Sequence, residues 1–121
     1  MPHIIFECSD TLVEKDFKKL LLTIHHILSE NLPTDLSNCK SRVIRCEDVV
    51  MGNGDNSQAF VHVTISVLKG RSAELLKKIS TLILDQLVNA LQASAKQFVL
   101  QLSVAIPELP DNFEKRTLIP K

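Results

Sequence analysis

The chain has 121 residues, of which 45% are hydrophobic and 23% are charged, and its formal net charge at pH 7 is zero. This length fits one domain with a single core, so we expect one domain over residues 1–121 that contains two repeats, at about 1–51 and 58–107. The chain has no basic run and lacks tryptophan and tyrosine, which argues against a nucleic-acid partner.

No apolar run approaches the length of a bilayer span, and no secretory leader pattern opens the sequence. The three cysteines are odd in number and lack any paired spacing; they are Cys8, Cys39 and Cys46. This pattern is typical of a reducing compartment. We therefore expect a cytoplasmic protein with no membrane partner.

The first half of the chain predicts a strand, a helix and a second strand. The β-branched and aromatic run from His3 to Cys8 predicts a strand that starts at the N-terminus itself. A helical stripe follows, with Ser9–Thr11 as its expected capping segment and Asn31 and Pro33 as its end. The stripe comprises Phe17, Leu20, Leu21, Ile24, Ile27 and Leu28. The next strand is predicted over 39–47, with Lys40, Arg42, Ile44 and Cys46 on one face and Ser41, Val43 and Arg45 on the other.

The second half repeats this order after a turn cluster at residues 52–56. A strand is predicted over 59–68, because its odd positions from Val61 to Val67 are all aliphatic. Ser72 is the expected N-cap of the longest helix, which extends to about Leu91. A fourth strand is predicted over 98–106, and the tail after Pro107 is expected to be irregular.

Two strand–helix–strand units with right-handed crossovers place both helices on the same face of one sheet. The sequence therefore predicts an α+β fold with a tandem β-α-β repeat, a four-stranded mixed sheet and two helices on one face. The other face carries either Phe60 and its mixed neighbours or the aliphatic residues of the same strand, and no further layer of this chain covers it. A half-apolar sheet face of this kind favours association with other subunits.

Pro2 is the first candidate for chemistry. Aminopeptidases remove Met1 readily before a small residue, and the new terminus would be a secondary amine on a rigid ring. A neutral amine at this position can act as a general base. The alternative is that this proline only marks an exposed start of the chain. The predicted strand directly after it favours a terminus that is held in place.

Three cationic residues are the candidate partners of an anion. Lys40 and Arg42 project from one strand face, and Arg71 follows a glycine at a strand-to-helix turn, where backbone N–H groups already favour anions. The alternative for each is a solvated surface charge. No metal site is predicted, because the adjacent His25 and His26 point about 100° apart on a helix and cannot chelate one ion. His62 is interpreted as a structural residue of its strand; for His3, strand packing is favoured and tuning of the Pro2 amine is the alternative.

These residues together resemble a known family. The segments Pro2–Ser9, Ala59–Thr64 and Gly70–Ser72 are similar to those of the 5-carboxymethyl-2-hydroxymuconate Δ-isomerase family, in the tautomerase superfamily. The resemblance extends from Pro2 to about Phe113. It is specific at the start and around Arg71, and weak over residues 23–38 and in the tail.

The resemblance implies a tautomerase-like homotrimer that isomerises a 2-hydroxymuconate-type dicarboxylate without a cofactor, in homoprotocatechuate degradation. It implies Pro2 as the general base and Arg71 as a binder of a substrate carboxylate. Lys40 falls where a second functional arginine is expected, and Arg42 matches the arginine two residues further on. Lysine keeps the charge but loses the planar fork, which bears on the substrate more than on the reaction class. Two alternatives remain open: a trimer of this fold without turnover, and a relative with hydratase or dehalogenase activity.

Overall fold

A computed structural model describes the whole chain, residues 1–121. It contains four strands, three helices and one short 3-10 turn at Leu36–Asn38. In chain order the elements are β1 (His3–Ser9), α1 (Lys18–Asn31), β2 (Lys40–Cys46), β3 (Gln58–Ser66), α2 (Ala73–Ala90), α3 (Gln92–Gln97) and β4 (Val99–Ala105). None of the helices combines the length and the apolar character that crossing a bilayer requires.

The four strands form one mixed sheet in the order β2-β1-β3-β4. The pairs β1–β2 and β3–β4 are parallel, as two β-α-β units require, and the central pair β1–β3 is antiparallel. In the central register His3 lies opposite Ser66 and Cys8 opposite Val61. The predicted α+β fold with a four-stranded mixed sheet is confirmed.

The core lies between the sheet and the helices, which all pack on one face. Alternation places Ile4 and Phe6 of β1 opposite Ile65 and Val63 of β3, and all four side chains are fully buried. The helices contribute the residues that the two apolar stripes predicted: Ile24, Leu28, Ile79, Ile83 and Leu87. Because each large apolar side chain that is buried contributes about 1.5–3 kcal/mol, this single cluster is sufficient to hold the two units together.

The opposite face of the sheet is left open by this chain. Ile5 lies there between Arg42 and Thr64, and Glu7 lies between Ile44 and His62. Ile44 is 44% exposed, although it lies within a strand. The open face therefore mixes apolar and polar side chains without any helix to cover it, as the sequence predicted.

The predicted start of α1 is wrong. The helix begins at Lys18 rather than directly after Ser9–Thr11, and no side chain caps it at Phe17. The Ser9 hydroxyl instead accepts a hydrogen bond from the backbone N–H of Phe60 at 2.9 Å, which ties β1 to β3. Asp16 Oδ1 accepts from the N–H of Lys18 at 3.0 Å. Ser9 thus belongs to β1, and Asp10 and Thr11 lie in the turn that follows it.

The start of α2 is as predicted, whereas α3 was not predicted. Ser72 Oγ accepts a hydrogen bond from the N–H of Leu75 at 3.1 Å, so this serine is the N-cap of α2. After α2 ends at Ala90, the short helix α3 fills the connection to β4. The predicted single helix therefore ends one residue early and is followed by a second one.

The tail after Pro107 contains no helix and no regular strand, yet backbone hydrogen bonds hold it against the end of β3. The N–H of Val67 donates to Pro107 O at 3.0 Å, and the N–H of Leu109 donates to Val67 O at 2.7 Å. Further along, Asp111 forms an ion pair with Lys69 at 3.0 Å. These contacts direct the tail toward the end of the sheet where β1 begins.

Candidate active site

Pro2 lies at the start of β1 and is buried. Its carbonyl oxygen accepts a hydrogen bond from the N–H of Lys40 at 3.2 Å, which extends the β1–β2 ladder to the terminus. The amine of Met1, one residue earlier, donates to Asn38 O at 3.4 Å. The N-terminus is therefore fixed against the 3-10 turn and the start of β2 instead of extending into solvent.

The surroundings of the N-terminal amine favour its neutral form. Partial burial lowers the pKa of the Met1 amine below its usual value, and the positive charges of Lys40, Lys115 and Arg71 lower it further. The thiol of Cys39 acts in the opposite direction. If Met1 were absent, the amine would be the ring nitrogen of Pro2, about 4 Å further along the chain and close to the same cations.

Arg71 is held at the turn between β3 and α2. The preceding Gly70 has a φ of 110°, a conformation that side chains rarely allow, and this turn directs the chain into α2. Arg71 Nη1 donates to Leu68 O at 3.2 Å and to Lys69 O at 3.3 Å. Arg71 Nε is buried and has no partner. The guanidinium is thus anchored through one nitrogen and keeps further donors for a ligand.

Lys40 and Arg42 both lie on β2, at different distances from the terminus. Lys40 pairs with His3 in the sheet, and its Nζ donates to Asn38 O at 3.3 Å. Arg42 lies one row further into the open face, beside Ile5. Burial lowers the pKa of His3, and the charges of Lys40 and Arg42 add to this effect. The structure thus places Pro2, Lys40 and Arg71 at one end of the sheet, with Arg42 at the border of the group.

Two residues of this region were not found by reasoning from the sequence. Lys115, in the tail, donates through Nζ to Asn38 Oδ1 at 2.9 Å. Asn38 itself ends the 3-10 turn before β2 and accepts from three cationic groups. Neither residue has a sequence signal, because the tail was expected to be irregular and Asn38 lies in a loop.

The larger concave regions of the single chain lie elsewhere. The largest, of about 430 Å³, lies between α1 and β2, and His25 Nε2 and Ser41 Oγ form a hydrogen bond of 2.9 Å beside it. The other two are lined by the 52–56 turn region and by the α1–α2 cleft. Pro2, Lys40 and Arg71 line none of the three.

Comparison with known proteins gives one family for nearly the whole chain. A family model described as 5-carboxymethyl-2-hydroxymuconate isomerase matches residues 2–118. An Escherichia coli protein named 5-carboxymethyl-2-hydroxymuconate Delta-isomerase is 30% identical over 110 residues, which cover 90% of this chain and 87% of that protein.

Solved structures agree in fold. A 5-carboxymethyl-2-hydroxymuconate isomerase from Deinococcus radiodurans R1 superposes with a TM-score of 0.85 at 26% identity, over 96% of this chain and 90% of that one. A protein described as a fused 4-OT wild type symmetric trimer has a TM-score of 0.68 at 15% identity, over 89% of this chain and 85% of that one. The latter similarity shows the fold alone. Together the comparisons confirm the resemblance that the sequence predicted.

Proposed function

Since the chain belongs to the 5-carboxymethyl-2-hydroxymuconate isomerase family, we propose that it catalyses the cofactor-free keto–enol tautomerisation of a 2-hydroxymuconate-type dicarboxylate in homoprotocatechuate degradation. One observation carries the proposal. The N-terminus is held at the end of the sheet, and burial, followed by the charges of Lys40, Lys115 and Arg71, lowers the pKa of the Met1 amine, one residue before Pro2. A neutral amine in a cationic setting is what proton abstraction from an acidic dienol requires.

In the proposed reaction Pro2 acts as the base once Met1 has been removed. The proline nitrogen takes the proton from the dienol hydroxyl, and the O–H electron pair becomes the new C=O bond. The conjugated double bonds shift by one position, and the proton held on the nitrogen is returned to a distant carbon of the same molecule. No atom or electron is gained or lost, which is consistent with a reaction that uses no cofactor.

The cations have two roles in this scheme. Arg71 binds a substrate carboxylate through its free donors, and Lys40 and Arg42 act on the same dianionic molecule from β2. Positive groups lower the energy of the dienolate as its charge develops. They also lower the proton affinity of the amine, so that the base stays neutral near pH 7.

We propose that the working form is a homotrimer. The open face of the sheet supports this assembly, and so does the fold shared with a protein described as a symmetric trimer. A pocket that forms only between subunits would also agree with the absence of a cavity at Pro2 in the single chain. A cytoplasmic location is part of the same proposal, since the three cysteines are free thiols.

The test is a kinetic comparison on 2-hydroxymuconate, followed by ultraviolet absorbance. Substitution Pro2→Ala exchanges the secondary amine on a rigid ring for a flexible primary amine, and we expect kcat to fall by about 10² or more, the usual contribution of a general base. Pro33→Ala is the matched control, because Pro33 is exposed in the loop after α1. Intact mass must show that Met1 is absent from both proteins. Undiminished turnover in Pro2→Ala would contradict the proposal, and a wild-type chain that retains Met1 and shows no turnover would favour a trimer without catalysis.

A further inference from the structure

Asn38 brings three cationic nitrogens together. Its backbone oxygen accepts from the Met1 amine at 3.4 Å and from Lys40 Nζ at 3.3 Å. Its side-chain Oδ1 accepts from Lys115 Nζ at 2.9 Å. Two ammonium groups from different parts of the chain, β2 and the tail, are thus held on one small neutral residue.

No carboxylate forms an ion pair with these cations; the nearest one to Arg71 in the chain's hydrogen bonds is Glu108, which accepts from the N–H of Gly70 at 3.2 Å. The single ion pair of the chain joins Lys69 to Asp111, so Lys40, Arg71 and Lys115 have no acidic group within 4 Å. Positive charges held close together repel one another, and carbonyl oxygens offset this only in part. A bound anion would relieve the repulsion, which makes this end of the sheet a better binding place for a dianion than for a neutral molecule.

The position of Lys115 depends on contacts along the tail. The ion pair of Asp111 and the Leu109–Val67 backbone hydrogen bond hold the segment before it. The ring of Phe113 then packs edge-on against His3, with the ring centres 6.0 Å apart. Lys115 follows two residues later and reaches Asn38. The contacts of segment 107–115 thus place the ammonium group of Lys115 beside the N-terminus.

We propose that Lys115 is a substrate-binding residue of this site and that it selects dicarboxylates over monocarboxylates. The inference rests on the proposed function and adds a residue from the tail to it. Lys40 stands where the resemblance leads one to expect an arginine, and a lysine offers a point charge instead of a planar fork. Two ammonium groups on Asn38 supply the two positive contacts, one for each oxygen of a carboxylate, that a single guanidinium would supply.

The experiment compares a diacid with a monoacid of the same conjugation, 2-hydroxymuconate and 2-hydroxy-2,4-pentadienoate. Lys115→Gln removes the charge and keeps most of the side chain. We expect KM for the diacid to rise about fivefold, the size of one charge-assisted contact at an exposed position, and KM for the monoacid to change less than about twofold. Lys115→Arg should restore the diacid KM. Lys96→Gln is the matched control, because Lys96 lies in α3 just before β4 begins, at the opposite end of the sheet.

A binding measurement separates this proposal from the proposed reaction. Adipate, an unreactive six-carbon diacid, is titrated calorimetrically into the wild type and Lys115→Gln, with hexanoate as the monoacid. Weaker adipate binding in Lys115→Gln supports the role of Lys115 even if no dienol is turned over. The proposal is overturned if Lys115→Gln binds adipate as tightly as the wild type does, or if the wild type does not prefer adipate to hexanoate. It is also overturned if Lys115→Gln raises KM for the diacid and for the monoacid by the same factor.

Discussion

At the scale of single residues, Arg71 presents an unusual feature. Its Nε is the one buried side-chain nitrogen or oxygen of the chain that lacks a hydrogen-bond partner. A buried donor without a partner destabilises a fold by about 1–3 kcal/mol. Arg71 is nevertheless anchored by two backbone carbonyls through Nη1, so its guanidinium is held in place while Nη2 makes no hydrogen bond. A carboxylate ligand would meet Nη2, which makes no hydrogen bond within the chain and is not among its buried atoms.

This geometry predicts that charge alone does not suffice at position 71. Arg71→Lys keeps the positive charge but removes Nε and the planar group, so we expect KM for 2-hydroxymuconate to rise about tenfold or more. Steady-state kinetics on the dienol measures this KM. Arg45→Lys is the control, because it makes the same exchange far from the site. Arg45 lies over the ring of Phe17, and its substitution should leave KM unchanged. An unchanged KM in Arg71→Lys would mean that a point charge is enough.

The sequence predicted some residues of this site and could not predict others. Pro2 and Arg71 were predicted because each has a local signal: a proline before a strand, and an arginine between a glycine and an N-cap. Lys115 and Asn38 meet across 77 positions of the chain through one hydrogen bond. Such a contact depends on how the tail packs, and a single sequence carries no pattern for it. Residues of the site supplied by irregular segments are therefore the ones that need a structure.

At the scale of elements, the loop before α1 and the helix α3 stabilise each other. The carboxylate of Glu14 accepts hydrogen bonds from the N–H of Ala93 at 3.1 Å, from the N–H of Ser94 at 3.3 Å and from the Ser94 hydroxyl. The same hydroxyl accepts from the N–H of Val13 at 2.9 Å. Ser94 is fully buried, and Glu14 thus satisfies donors at the first turn of a helix that has no cap of its own.

This contact makes the stability of the fold depend on the charge of Glu14. Burial opposes ionisation, but the hydrogen bonds from Ser94 and Ala93 outweigh it and lower the pKa of Glu14. The stabilisation is therefore complete above the unfolded-state pKa and is lost as the pH falls through the lower folded-state value. Glu14→Gln should lower the free energy of unfolding by about 1 kcal/mol at neutral pH, or about 4 °C in Tm.

The measurement is a series of thermal melts from neutral pH down to about pH 3, a range set by the direction of the shift. The difference in Tm between the wild type and Glu14→Gln should shrink as the wild-type carboxyl becomes protonated. Glu30→Gln is the control, since Glu30 is exposed near the end of α1 and makes no side-chain hydrogen bond or ion pair. A difference in Tm that stays constant with pH would show that Glu14 stabilises the fold through packing instead of through its charge.

The elements also show where local patterns fail. The bounds of β2 and the end of α1 were predicted within one residue, and Pro33 determines the helix end locally. The start of α1 was wrong, because Ser9 has the chemistry of an N-cap but its hydroxyl bonds to β3, 51 positions away. A serine in the sequence has the hydroxyl that an N-cap needs, but the sequence does not show whether this hydroxyl accepts from the N–H of a helix or from the N–H of a strand.

At the scale of the whole molecule, the uncovered sheet face is the feature that a single chain leaves unexplained. Phe60 and Ile5 lie on it without any layer above them, and Val99 is 62% exposed in a strand. Large half-exposed apolar side chains on a sheet are typical of surfaces that other subunits cover. A protein that shares this fold at 15% identity is described as a symmetric trimer.

The proposed trimer gives the last prediction, which concerns Phe60→Glu. A carboxylate at this position would be buried without a partner if the open face lies inside an assembly, and burial of an unpaired charge is strongly unfavourable. We expect the wild type to elute with three times the 13.5 kDa chain mass and Phe60→Glu to shift toward one chain mass, measured by size exclusion with light scattering at micromolar concentration. Leu22→Glu is the matched control, because Leu22 is 47% exposed on α1, on the helical side of the sheet, and its substitution should leave the trimer intact.

Circular dichroism must show that both variants keep the fold. If Pro2 works only in a pocket between subunits, dienol turnover should fall together with the trimer in Phe60→Glu, whereas a folded monomer with full activity would place the complete site within one chain.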